Sequence, residues 1–356
     1  MNANEVIAKL AGDEAHANDH VNMGQSSNDV FPSAVHLAAL GEVHSDLLPA
    51  LDQLGGALER KAEEFADLVK AGRTHLMDAV PMTLGQEFGG WARQVELGIE
   101  RLRGVMPRLL PLAQGGTAVG TGLNRHADFD RVFCEIVAER TGLAFTANPN
   151  KFEGMGAHDA MVELHGVMNT IAVSLNKVAN DIRLLGSGPR SGFAELVVPA
   201  DGLSSSIMPG KTNPTQSEAM TMVCAQVMGN TTAVTVAGAQ GHLELNVFKP
   251  VIIQAVLQSA GLLADVAESF AEHMVLKLEP NRERIAENLA KSLMLVTALN
   301  PRIGYDKAVA IGKKALAENL TLRDAAAQLG HVTPEDFDRW VRPEDMVSPG
   351  ASLDGG

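Results

Sequence analysis

The chain has 356 residues, 46% hydrophobic but only 4% aromatic, and a formal net charge of −14. That length holds two or three domains with a large core, while the negative charge argues against nucleic acid or an anionic membrane as partner. With so few aromatics, packing falls to Ala, Leu, Val, Met and Gly, which suits closely approaching helices better than a β-sandwich.

In chain order, the pattern is one of long helices broken by short Gly, Pro and Asn signals. After Asn28-Asp29 a helical run reaches about Lys70, with Val35, Leu37, Leu40, Val43, Leu47 and Leu51 at roughly helical spacing and a kink expected at Pro49. A second helix is expected from about Thr83 to Met106, where Pro107 and Pro111 interrupt it. A third runs from about His158 to Leu185 and stops at Gly186-Ser187-Gly188-Pro189. The fourth begins at Asn213-Pro214, with Asn213 as N-cap and Pro214 as first helical residue, and reaches about Ala239. The fifth follows Lys249-Pro250 and continues to about Leu278. Helices so much longer than the ~11–12-residue mean form extended bundles. From Glu279-Pro280 onward the pattern shortens and gains charge, which marks a small C-terminal helical domain from 280 to 356.

Three of these helices are poor in charge. Met161 to Val178 carries only Glu163 and Lys177, and Met220 to Ala239 carries none. Helices apolar around most of their circumference need covering on every side, so burial against other subunits is expected. No stretch of about 18 uninterrupted apolar residues occurs, so no bilayer-spanning helix is expected. Two cysteines, Cys134 and Cys224, cannot build a disulfide framework, and Met1-Asn2-Ala3-Asn4-Glu5 is no leader, so a reducing, cytoplasmic setting is expected.

Three polar, loop-like segments hold residues that helix packing does not require. Gln25-Ser26-Ser27-Asn28-Asp29 reads either as an N-cap cluster or as a carboxylate site at a helix start. In Gly72-Arg73-Thr74-His75-Leu76-Met77-Asp78, an Arg and an Asp flank a histidine and could fix and charge its ring. The third, Gly202 to Pro214, leads through serines and Pro209-Gly210 to Lys211-Thr212-Asn213. There a hydroxyl, an ammonium, an amide and a helix start could surround one anion. Its glycines are wrongly placed for a Walker loop, and no Gly-x-Ser-x-Gly elbow is present.

Ser205-Ser206-Ile207-Met208-Pro209-Gly210-Lys211-Thr212-Asn213-Pro214 resembles the signature loop of the fumarase/aspartase superfamily, and its Pro-Gly-Lys form is most similar to class II fumarases. Gln25–Asp29, Gly72–Asp78, Gly115–Asn124 and Glu244–Pro250 extend the resemblance along essentially the whole chain. The resemblance implies an all-α fold: a remnant of an N-terminal domain over 1–25, a central long-helix bundle over 26–279 and the small C-terminal domain. It implies a homotetramer with active sites shared between subunits, a fumarate/malate substrate and no metal or organic cofactor. Ser205 would be the base and His75, with water, the acid side. Ser26, Ser27, Asn28, Thr74, Ser206, Lys211 and Asn213 match carboxylate-binding positions, and Glu218 the acid that tunes the histidine. His16, Asn18 and Asp19 resemble an accessory anion site.

The match departs in places. Ser204 stands where a glycine usually precedes the catalytic serine, Thr212 replaces a common valine, and Ala17 a usual proline. The chain starts just after the Ser-Gly-Thr loop that family members carry, which leaves a catalytically inert truncated subunit as a rival to hydration; ammonia addition as in aspartate ammonia-lyase is a separate rival, which the Pro-Gly-Lys form disfavours.

Overall fold

The structure, a computed structural model, describes residues 2–200, 207–208 and 210–349. Helices dominate it. In chain order come α1 (Asn2–Ala11), α2 (Ser27–Glu42), α3 (Leu48–Glu64), the strands β1 (Val69–Thr74) and β2 (Met77–Thr83), and α4 (Leu84–Val105). After a two-residue strand β3 (Pro111–Leu112) follow α5 (Phe129–Thr141), β4 (Thr146–Ala147), α6 (Lys151–Gly156) and α7 (Asp159–Leu185). Then come β5 (Leu196–Val197), α8 (Thr215–Gly238), α9 (Lys249–His273) and β6 (Glu279–Pro280). Shorter helices follow, among them α10 (Arg282–Lys291). The fold is all-α, as expected, with three two-stranded ladders among the described residues.

The expected helices are present, with two instructive differences. The first run does not continue to Lys70: it ends at Glu64, and β1 starts at Val69. Within it, a wide π turn covers Val43–Leu47 directly ahead of Pro49, with Leu48 N–H reaching back to Val43 O. Proline has no N–H to offer and its ring crowds the preceding turn, so the wider turn takes up the mismatch. The second difference is Gly72–Asp78, read from sequence as a loop. It belongs to an antiparallel hairpin with Thr74 paired to Met77. Its two turn residues are His75 and Leu76, at φ 57° and 60°. That left-handed pair ordinarily takes Asn-Gly, so the sequence carries no hairpin signal.

The chain divides into two compact units. One comprises Met1–Leu54, Gln94–Ala179 and Glu218–Phe270. Its core is aliphatic: Leu40, Leu47, Leu51, Leu102, Leu164, Met168, Val227, Ile252, Val256 and Leu263 are all fully buried. Small residues let helices approach closely; a Cβ on Gly98 of α4 would meet Ile171 of α7 at 3.0 Å. Inside this unit His165 spends both ring nitrogens on hydroxyls, Ser259 at 2.9 Å and Thr231 at 3.1 Å, so α7, α8 and α9 share one buried polar node. Both cysteines are here, free and buried. Burial pushes the Cys134 thiol up and the Cys224 thiol up to about 12.

The other unit comprises Gly55–Arg93, Asn180–Ser217 and Ala271–Gly356. Phe65 stacks edge-on to Phe88 at 5.3 Å, and Phe88 contacts Trp91 at 4.7 Å. A separate cluster of Leu295, Leu299, Ile311, Leu322 and Val332 organises its C-terminal helices. The division into domains at 25 and 279 remains our proposal on the sequence pattern.

By length and composition, the helix Lys249–Lys277 would suffice to cross a bilayer, because its polar residues interrupt the apolar run without lowering its average much. Half of that window is buried inside the protein, as in a core helix.

Candidate active site

The first polar segment is a helix start. Ser26 is the N-cap of α2, at φ −138° and ψ 156°; its Oγ accepts the Asn28 N–H at 3.2 Å, and its own N–H donates to Asp29 Oδ1 at 2.9 Å. This capping box, with the Asp29 and Val30 N–H groups bonded to Ser26 O, occupies most donors of the helix start; the Ser27 N–H and the positive end of the dipole remain for an anion. Asn28 Nδ2 donates to Ala118 O at 2.9 Å, which fixes the amide and leaves its second N–H free of that bond. Asp29 is fully buried, and its other oxygen accepts the N–H groups of Gly115 at 3.0 Å and Thr117 at 2.8 Å. Burial raises the Asp29 pKa, outweighing the backbone donors, chiefly Ser26, Thr117 and Gly115, that favour the carboxylate.

The second segment puts Thr74 and His75, both exposed, at the hairpin tip. The expectation that Arg73 and Asp78 hold the imidazole is not what the geometry favours for Arg73. Its guanidinium grips Glu195 with two nitrogens, at 3.0 and 2.5 Å, and stacks over the Phe193 ring at 4.4 Å, while Asp78 lies 4.0 Å from it. Lys70, almost fully buried, bridges Glu87 at 2.8 Å and Glu195 at 3.2 Å, and Asn288 donates to Glu195 at 3.0 Å. Burial pushes Glu195 up, but Arg73, Lys70 and Asn288 together hold it below the usual carboxylate range. Sequence reasoning missed Glu195, although a lone acid in the apolar run Phe193-Ala194-Glu195-Leu196-Val197 is a signal, since such a charge must be paired.

In the third segment, the expected Ser205 and Ser206 lie outside the described residues. Lys211 is exposed, and its Nζ donates to Asn213 Oδ1 at 2.5 Å. A pocket of about 380 Å³ in the same unit takes its polar lining from Arg183, Ser187, Lys211, Thr212, Asn213 and Asn281, groups able to hold a carboxylate, while Ala194, Leu196, Val197 and Val198 contribute to a larger apolar part. α8 begins at Thr215, just past the expected Pro214, and Glu218 sits half-buried in its first turn. Thus Ser26, Ser27, Asn28 and Glu218 belong to the first unit, and Thr74, His75, Lys211 and Asn213 to the second.

The expected accessory residues form an exposed π turn, Ala17–Val21, capped by His16. His16 Nδ1 accepts the Asp19 N–H at 3.2 Å and lies 3.1 Å from the Asp19 carboxylate, while Asn18 is exposed beside them. Among the described residues, no cluster of three or more His, Cys, Asp or Glu is arranged to hold a metal.

Residues 1–229 match the lyase family and residues 295–348 the fumarase C C-terminus. The chain is 57% identical to human mitochondrial fumarate hydratase over 98% of its own length and 70% of the human protein. It is 57% identical to the class II fumarate hydratase of Methylorubrum extorquens over 99% of its length and 76% of that protein. The chain belongs to the class II fumarase family. Among solved structures, the class II fumarase of Schistosoma mansoni superposes with a TM-score of 0.91 at 43% identity, covering 94% of this chain and 73% of that one. As a class II fumarase family member the chain is a lyase of all-α architecture.

Proposed function

We propose that the chain catalyses the reversible hydration of fumarate to (S)-malate, with Ser205 as base and His75 on the acid side. The observation that carries this reading is the 56–58% identity, over 98–99% of the chain, to proteins named fumarate hydratase. The chemistry needs what the described segments offer. The C3 proton of malate is weakly acidic, because its removal spreads a second negative charge onto the neighbouring carboxylate. Lys211, Asn213 and the helix start that follows them are the kinds of donor that stabilise that charge selectively in the transition state.

In the dehydration direction, Ser205 takes the C3 proton and the freed electron pair forms the C2–C3 double bond. The C2 hydroxyl leaves as water after receiving a proton by way of His75 and a water. Thr74, Ser26, Ser27, Asn28 and Ser206 hold the two carboxylates, and Glu218 tunes His75. A serine is a usable base only where water is excluded and amide groups stabilise the alkoxide.

Purified protein incubated with malate should develop the ultraviolet absorbance of fumarate, and Ser205→Ala should lower the rate by ~10²–10⁴-fold at unchanged oligomer size. A variant that keeps wild-type turnover refutes the base assignment. The same reading includes a homotetramer, which the exposed apolar residues Val173, Met222 and Val236 on the charge-poor helices favour. It also includes a cytoplasmic setting, which two buried free thiols suit.

A further inference from the structure

The Gly115–Asn124 loop carries no side chain that the proposed reaction uses, yet its backbone is unusual. Gly115, Thr117, Gly120, Gly122 and Asn124 all take positive φ, at 89°, 55°, 108°, 71° and 65°. For Thr117 this is a costly conformation, since a β-branched residue crowds its own backbone there. Its hydroxyl is buried with no hydrogen-bond partner. A side chain at Gly115 would meet Asp130 at 2.8 Å, so that position also tolerates nothing larger. Strain of this kind persists where the surroundings enforce it. What it accomplishes is to turn two successive N–H donors, from Gly115 and Thr117, onto one oxygen of Asp29. Left-handed backbone runs of this kind make anion-binding concavities, and here the anion is internal.

We propose that Asp29 is a positioning residue for the substrate-binding turn, a proposal that rests on the reading of Ser26–Asn28 as carboxylate ligands. One Asp29 oxygen is fixed by the strained loop; the other accepts the Ser26 N–H and so sets the torsions of the N-cap. Asn28 is tied to the same loop through Ala118 O, so loop and helix start move as one piece. The carboxylate can satisfy all three donors at once because both its oxygens only accept; an amide in its place would turn an N–H towards one of them. Asp29 touches no substrate in this scheme. It acts by keeping Ser26, Ser27 and Asn28 aimed.

The experiment compares wild type, Asp29→Asn and Ser33→Ala. Ser33 is buried one turn further along α2 and donates to Asp29 O at 2.8 Å, so its loss damages the same helix without touching the loop or the N-cap. Asp29→Asn should raise KM for malate about tenfold while kcat stays within about threefold, the pattern of lost ground-state binding. It should also speed hydrogen exchange at the Ser26, Gly115 and Thr117 amides. Ser33→Ala should lower thermal stability and leave KM within about twofold of wild type. If Asp29→Asn keeps wild-type KM, or if Ser33→Ala raises KM equally, the positioning role is wrong. Should the unaltered chain turn over no malate, the functional reading fails separately; exchange at wild-type rates in Asp29→Asn would then still overturn the Asp29 assignment.

Discussion

The start of α2 and the tip of the β1–β2 hairpin present functional residues by opposite means. At the helix start, one buried carboxylate is held only by backbone N–H groups, from Ser26, Gly115 and Thr117. Under the hairpin, one buried carboxylate is held by side chains, from Lys70, Arg73 and Asn288. The first arrangement adds no opposite charge and depends on loop shape. The second adds two cations to the interior and depends on every partner remaining. A buried charge network is strong only while complete, because removing one member strands the others in a medium that solvates them poorly.

The largest expected effect tests that asymmetry. Glu195→Ala leaves Arg73 facing a hole and Lys70, at 1% side-chain exposure, with Glu87 as its remaining carboxylate, and should destabilise by about 3 kcal/mol in urea unfolding. A loss under about 1 kcal/mol would show the network to be replaceable by water. A smaller effect of opposite sign is expected at the hairpin tip. Leu76 is exposed at φ 60°, a conformation that costs a side-chain-bearing residue about 1 kcal/mol, so Leu76→Gly should stabilise by roughly that amount. If it instead destabilises, the turn is not strained.

The subtlest expectation is a difference in pH dependence, read from unfolding between pH 5.5 and 3. Glu195 has a folded pKa below its ordinary 4.5, so the stability it contributes is present above 4.5 and lost as pH falls through the folded value. The deficit of Glu195→Gln against wild type should therefore shrink in acid. Asp29 has a folded pKa above its ordinary 3.8, so the folded state binds the extra proton and gains stability as pH falls through that raised value. The deficit of Asp29→Asn should grow in acid. Parallel slopes for the two variants would erase the distinction between the two supports.

Much of the helical frame was legible in the sequence, because long apolar periodicity and Gly/Pro stops leave few alternatives. α4 and α7 begin and end within a residue or so of where Thr83, Met106, His158 and Leu185 predict. The hairpin was not legible, because its turn is made by His75-Leu76 rather than by residues that announce a left-handed turn. For the candidate site, residue types over Gln25–Asp29 offered a helix cap without saying which residue caps; the structure makes Ser26 the N-cap and Asp29 its partner. The supports escaped notice because they lie far along the chain: Gly115 and Thr117 are 86 and 88 residues from Asp29, and Glu195 is 122 from Arg73. Periodicity reports neighbours in a helix, not partners brought together by folding. The lone acid at Glu195 was the one local sign, and it gave no hint of which cation would answer it.

The two buried thiols have a chemical consequence. Fumarate is an electron-poor alkene, and such alkenes alkylate cysteine by addition of the thiolate across the double bond. Both thiols are buried, and burial pushes Cys134 up and Cys224 up to about 12, so each is kept from the alkene and from the reactive thiolate form. A protein that dwells in the presence of its own electrophile is thereby shielded from slow self-inactivation.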